Sequence, residues 1–191
     1  KLVTRALKRS RGGIILRKWK WIVVMIVAVL GAYGLFSINQ PQAVPGKQQA
    51  VQSGTGVTIG KVAPAFKLDS LAGKTVEVGG GGQLYVINFW ATWCPPCRAE
   101  LPELVCFAQS YNGKVQFYAV NLQESKEQVG DFLRQQGYEL PVLLDKDGTV
   151  AKLFKVTAIP TTLVVDSQGI IRYRKSGGVT FSELETVIKG L

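Results

Sequence analysis

Between positions 60 and 191 the hydrophobic and polar residues alternate in short blocks that change period along the chain. Residues 66–69 and 75–78 each alternate apolar and polar around Ala72-Gly73-Lys74, the pattern of a β-hairpin with one face covered. Residues 83–90, Gln83-Leu84-Tyr85-Val86-Ile87-Asn88-Phe89-Trp90, form an almost continuous apolar run rich in β-branched and aromatic side chains, which predicts a strand buried on both faces. Directly after it the period changes. Cys97, Leu101, Leu104, Val105 and Ala108 fall at offsets of four, seven, eight and eleven, one stripe of an amphipathic helix. Further on, the pattern predicts a strand over 115–121, a helix over 125–136 with Val129, Phe132 and Leu133 inward, and a short strand over 141–144 ending in the turn Asp145-Lys146-Asp147-Gly148. A hairpin over 161–166 and 169–175 and a closing helix over 182–190, capped by Ser182 with Glu185 three residues later, complete the chain. Strands alternating with helices and ending in a hairpin predict an α/β fold with a mixed sheet covered by helices on both faces.

The N-terminal part follows other rules. Residues 21–38 run without a charge, and at a rise of ~1.5 Å per residue they reach about the ~30 Å of a bilayer core, which predicts a single transmembrane helix. Residues 1–20 carry eight Lys or Arg and no acid, so the positive-inside rule predicts a cytoplasmic N-terminus and a translocated remainder. The rival is a cleaved signal peptide, for which Ala32-Tyr33-Gly34 offers a small-x-small site. Residues 39–57, rich in Gln, Gly, Pro and Val, read as a flexible linker, and 58–191 as the folded domain. The formal charge of +10 therefore misleads as a whole. Beyond position 20, fifteen basic residues face thirteen acidic ones, so the charge gives no support for nucleic-acid binding. Gly79 to Gly82 lacks the Gly-Lys-Ser/Thr ending of a phosphate loop and reads as a flexible connector.

The candidate chemistry sits at the junction of the buried strand and the amphipathic helix, in Trp93-Cys94-Pro95-Pro96-Cys97. A Cys-x-x-Cys pair serves either a reversible disulfide or a zinc site. Zinc needs further ligands, and the chain has no histidine and one more cysteine, Cys106. At a helix N-terminus, free N–H groups and the dipole favour the thiolate of Cys94, the attacking form in disulfide exchange; Cys97, facing inward, resolves. Pro95 and Pro96 suit the first helical turn, where a missing N–H costs little. Pro102 falls inside the helix, where a kink is expected. Cys106, about 13 Å from Cys97 along the axis, cannot bond to it within one chain and is expected to be a buried spectator.

The stretch Asn88-Phe89-Trp90-Ala91-Thr92-Trp93-Cys94-Pro95-Pro96-Cys97-Arg98-Ala99-Glu100-Leu101-Pro102-Glu103-Leu104 resembles the signature of TlpA/ResA-like membrane-anchored thioredoxin-fold thiol-disulfide oxidoreductases. Residues 63–68 and 157–166 resemble that family's opening and its proline segment, so the likeness covers about 58–191. The resemblance implies a thioredoxin-like mixed sheet with an N-terminal β-hairpin and a central strand-helix insert over 122 to about 145. It implies a cis peptide at Pro160 facing the disulfide, with the backbone edge of Ile159 open to a substrate strand, and Trp93 and Pro95 beside it. Asn88 stands where thioredoxin itself carries a buried aspartate, so proton handling passes to Glu100, expected near the thiols; the alternative is a solvated glutamate that merely suits the helix N-terminus. No cofactor is implied beyond the Cys94/Cys97 disulfide. The implied partners are exported proteins with disulfides, apocytochrome c among them, an integral-membrane thiol electron donor, and the membrane. A copper-handling dithiol module and a peroxiredoxin-like peroxidase are the competing readings.

Overall fold

A computed structural model describes residues 54–191. The basic segment, the expected membrane helix and most of the expected linker lie outside the described residues. No helix among the described residues is long and apolar enough to cross a membrane.

The elements follow one another as β1 (Phe66–Ser70), β2 (Thr75–Val78), β3 (Tyr85–Trp90), α1 (Pro95–Ser110), β4 (Gln116–Leu122), α2 (Lys126–Gln136), β5 (Val142–Asp145), α3 (Thr149–Leu153), β6 (Thr161–Val165), β7 (Ile171–Ser176) and α4 (Phe181–Lys189). The strands form one seven-stranded mixed sheet in the order β2-β1-β5-β4-β3-β6-β7. The helices α1 and α2 make the crossovers that let β3, β4 and β5 run parallel. The hairpin β1-β2 pairs antiparallel beside β5, and β6 and β7 run antiparallel on the other flank. The expected mixed sheet, N-terminal hairpin and strand-helix insert are all present, the insert being α2 and β5.

β3 explains why the sheet has two cores. All six of its residues are buried, and successive side chains point to opposite faces. Val86 and Trp90 join a core with Leu101, Leu104 and Phe107 of α1 and Leu184 of α4. Tyr85, Ile87 and Phe89 join the other, where Phe154 stacks edge-on against Phe66 at 5.5 Å and tilts against Phe89 at 5.6 Å. Asn88 lies between Val86 and Trp90 on the α1 side, the one polar residue in an apolar strand.

Four local expectations change. The turn after β5 leads into α3, a helix too short to show a period: its N-cap residue, Gly148, has no side chain to offer, and the buried carboxylate of Asp145 caps it instead, accepting from Val150 N at 3.1 Å and Ala151 N at 2.7 Å. Helix α4 is capped by Thr180, whose hydroxyl accepts from Glu183 N at 3.2 Å; Ser182 is already inside it. The four-glycine run, expected to be a flexible connector, is exposed but held at two points: Gly82 N donates to Ser167 O at 2.7 Å, and a Cβ on Gly79, at φ +127°, would lie 2.6 Å from Ala65 Cα. The chain also joins the domain ahead of position 58, through a bridge from Thr55 to Val62 and a bond from Arg174 Nη1 to Val57 O at 3.3 Å.

The Asp145 cap gives a direct check. Asp145→Ala strips the acceptor from two buried N–H groups, and urea unfolding should show a loss of about 2 kcal/mol or more. An unfolding midpoint that stays in place would mean the cap is idle.

Candidate active site

The site is built where β3 runs out and α1 begins. Cys94 is the N-cap of α1, in extended conformation at φ −87° and ψ 111°, with Pro95 and Pro96 as the first two helical residues. Two prolines remove two of the N–H groups a helix start leaves unpaired. The next N–H, that of Cys97, points back at Cys94 Sγ at 3.3 Å, so the sulfur takes the place that a serine or aspartate oxygen fills in an ordinary cap. The two cysteines are joined as a disulfide with their Cα atoms 5.3 Å apart. Helix α1 continues through Pro102 to Ser110.

The other wall comes from the loop before β6. The Ile159-Pro160 peptide is cis, as expected, and Cys94 Sγ lies 3.8 Å from the Ile159 carbonyl oxygen. Thr161 Oγ1 donates to Ala158 O at 2.7 Å and Pro160 O accepts from Gly177 N at 2.8 Å, which fix the loop on both sides. Of the two tryptophans flanking the turn, Trp93 is 68% exposed and Trp90 is wholly buried, 5.9 Å from Phe132. Pro95 is exposed, Ile159 half-buried and Pro160 buried.

Cys94 is only 3% exposed in the disulfide form, its sulfur lying between the Cys97 amide and the Ile159 carbonyl. One cysteine expectation needs correction. Cys106 is exposed and free, where a buried thiol was expected. The buried side of α1 is set by Leu101, Leu104 and Phe107, and position 106 falls on the opposite side.

Glu100 is not a solvated helix-start residue. It is 5% exposed, with Oε1 accepting from Asn88 Nδ2 and Oε2 from Val179 N, both at 2.8 Å. Asn88 Nδ2 also donates to Thr162 Oγ1 at 2.9 Å across the β3-β6 pair. Burial raises the Glu100 carboxyl above its ordinary 4.5, against the opposing pull of the Val179 and Asn88 hydrogen bonds and the charge of Lys175. The shell of this carboxylate was not read from the sequence, since its donors come from β3 and from the loop after β7.

A second buried carboxylate was also missed. Glu124, in the loop leading into α2, accepts from Thr92 N at 2.8 Å, from Thr92 Oγ1, and from Asn121 Nδ2 at 2.7 Å. It ties the insert to the turn that carries Trp93 and Cys94. A lone Glu beside the Ser125 cap carries no signal of this in sequence.

A thioredoxin fold with a dithiol at a helix N-terminus, facing a cis-proline loop, defines a thiol-disulfide oxidoreductase. The chain belongs to the AhpC/TSA family, whose model matches residues 59–174. It is 31% identical over 170 residues to the thioredoxin-like protein YneN of Bacillus subtilis, covering 87% of this chain and 95% of that one. It is 31% identical over 169 residues to the thiol-disulfide oxidoreductase ResA of Bacillus thuringiensis, covering 87% and 92%. The crystal structure of StoA from Bacillus subtilis superposes with a TM-score of 0.60 at 28% identity, over 65% of this chain and 96% of that one.

Two measurements follow from this geometry. Because the folded Glu100 holds its proton to higher pH than the unfolded chain, the folded state binds more protons above about pH 4.5, and stability should fall as pH rises through the raised midpoint. Urea unfolding over that window should show the wild type losing ground to Glu100→Gln, which cannot ionise; a difference that is flat with pH would count against a buried, raised Glu100. In the oxidised protein one thiol, Cys106, should react readily with an alkylating reagent, and protection of that thiol would contradict its placement.

Proposed function

We propose that the protein is an extracytoplasmic reductase of protein disulfides, tethered by its N-terminal apolar segment, with apocytochrome c among its substrates. The observation that carries the chemistry is the Cys94/Cys97 pair at the N-terminus of α1 with Glu100 buried one turn further along. The basic and apolar N-terminal segments and the likeness to ResA support the location and the substrate class.

In the reduced form the thiolate of Cys94, favoured by the helix N-terminus, attacks one sulfur of a substrate disulfide. A Cys94-substrate bond forms, and the first substrate sulfur leaves and takes a proton. Cys97 then gives up its proton and attacks Cys94 Sγ, so the second substrate sulfur leaves and the Cys94-Cys97 disulfide closes. Two electrons have passed from the pair to the substrate. Glu100 takes the proton from Cys97, directly or through a water. A membrane thiol donor restores the dithiol. Trp93, Pro95, Ile159 and Pro160 form the surface against which the substrate lies, the Ile159 backbone accepting it as an added strand. Neither rival gains a supporting residue. Ala91 stands where a peroxidatic threonine would precede Cys94, and a copper site would rest on the two thiolates alone in a chain without histidine.

Cys97→Ser, in a Cys106→Ser background, removes the resolving thiol and leaves the attack intact. Mixed disulfides on Cys94 should accumulate in cells, and exported proteins with haem-binding Cys-x-x-Cys-His segments should be among those captured. A trapped set without such proteins would end the cytochrome assignment. Failure to trap any protein would end the reductase assignment.

A further inference from the structure

Asn88 is the polar exception in β3, and its hydrogen bonding is half complete. Its Nδ2 donates to both Glu100 Oε1 and Thr162 Oγ1, while its Oδ1 is buried with no partner. An amide oxygen left unpaired in a protein interior is costly and calls for an explanation. A second arrangement is evident from the chemistry of the three groups. An ionised Glu100 only accepts, so it needs the amide N–H of Asn88. A protonated Glu100 is a donor at that oxygen, and an N–H facing it would leave two donors opposed. Turning the amide by half a rotation places Oδ1 where Nδ2 was. Its two lone pairs then receive the Glu100 hydroxyl and the Thr162 hydroxyl, which can donate as well as accept. The other Glu100 oxygen keeps the Val179 N–H in both arrangements.

We propose that Asn88, backed by Thr162, is the positioning residue for Glu100: its side-chain amide turns over as Glu100 gains or loses a proton, so that the buried carboxyl keeps a matched partner in both states. This rests on the acid-base reading of Glu100 given above. It also accounts for an amide, and not a carboxylate, at position 88, because two adjacent buried carboxylates would compete for one proton. The remaining charged and titratable groups around Glu100 come from three elements. Lys175 on β7 is held by both oxygens of Glu183 on α4, at 3.0 and 2.8 Å. Tyr173, also on β7, donates to Glu183 Oε1 at 2.7 Å, and Cys97 lies one turn earlier on α1. None of these groups hydrogen-bonds to Glu100, whose partners are Asn88 and Val179.

The test is a titration of the full-length chain, in mild detergent with the disulfide closed, read by NMR. The Glu100 carboxyl carbon and the Asn88 side-chain amide should move with one common midpoint. Asn88→Leu keeps the shape and removes the donor to the ionised form, so the Glu100 midpoint should rise by about one pH unit. Asn88→Asp, which serves if the leucine variant does not fold, should replace the single step by two separated ones. In Glu100→Gln the Asn88 amide should stay at its low-pH wild-type position at every pH. The proposal is overturned if Asn88 amide signals stay fixed while Glu100 titrates, or if the Glu100 midpoint is the same single step in either variant. No substrate or turnover enters the measurement, so its failure is distinct from failure of the reductase assignment.

Discussion

The N-terminus of α1 is the constraint on which the rest of the domain is arranged. A helix start leaves several N–H groups unpaired, and here two are deleted by proline and a third is aimed at sulfur. That arrangement holds only if the helix begins at the end of a strand that cannot shift. β3 supplies this, since each of its side chains other than Asn88 is locked in one of two cores and a slip of one residue would exchange them. The cis-proline loop and the Glu124 clamp on Thr92 then close the two open sides of the turn.

Much of this was legible in the sequence because it is local. The apolar run of β3, the stripe of α1 and the spacing of the cysteines are patterns within a few residues, and the cis proline came with the resemblance. What was not legible depends on partners far along the chain. Glu100 is expected near the thiols, but the partners that bury it, Asn88 and Val179, come from elsewhere in the chain. Glu124 looks like a polar loop residue until Thr92 folds against it. α3 escaped because one helical turn gives no periodicity, and Asp145, whose carboxylate holds two of its N–H groups, reads as part of a turn. Ser182 with Glu185 and Thr180 with Glu183 share one spacing, and it is Thr180 that caps α4.

A buried amide on the sheet and a buried carboxyl on the neighbouring helix share one hydrogen bond, that from Asn88 Nδ2 to Glu100 Oε1. The carboxyl lies one turn after Cys97 on α1, and its hydrogen bonds come from the sheet and from the loop after β7.

That loop has a consequence of its own. Within three consecutive residues, Gly177 N holds the carbonyl of Pro160 and Val179 N holds the carboxylate of Glu100. The loop works as a caliper, one jaw on the segment that faces the disulfide and the other on the acid behind it. Its opening is fixed by the length of a dipeptide, with Gly177 at φ +101° making the bend. Adding or removing a single residue there would leave either the proline segment or the glutamate without its amide, and the two sides of the site would no longer be spaced by the same piece of backbone.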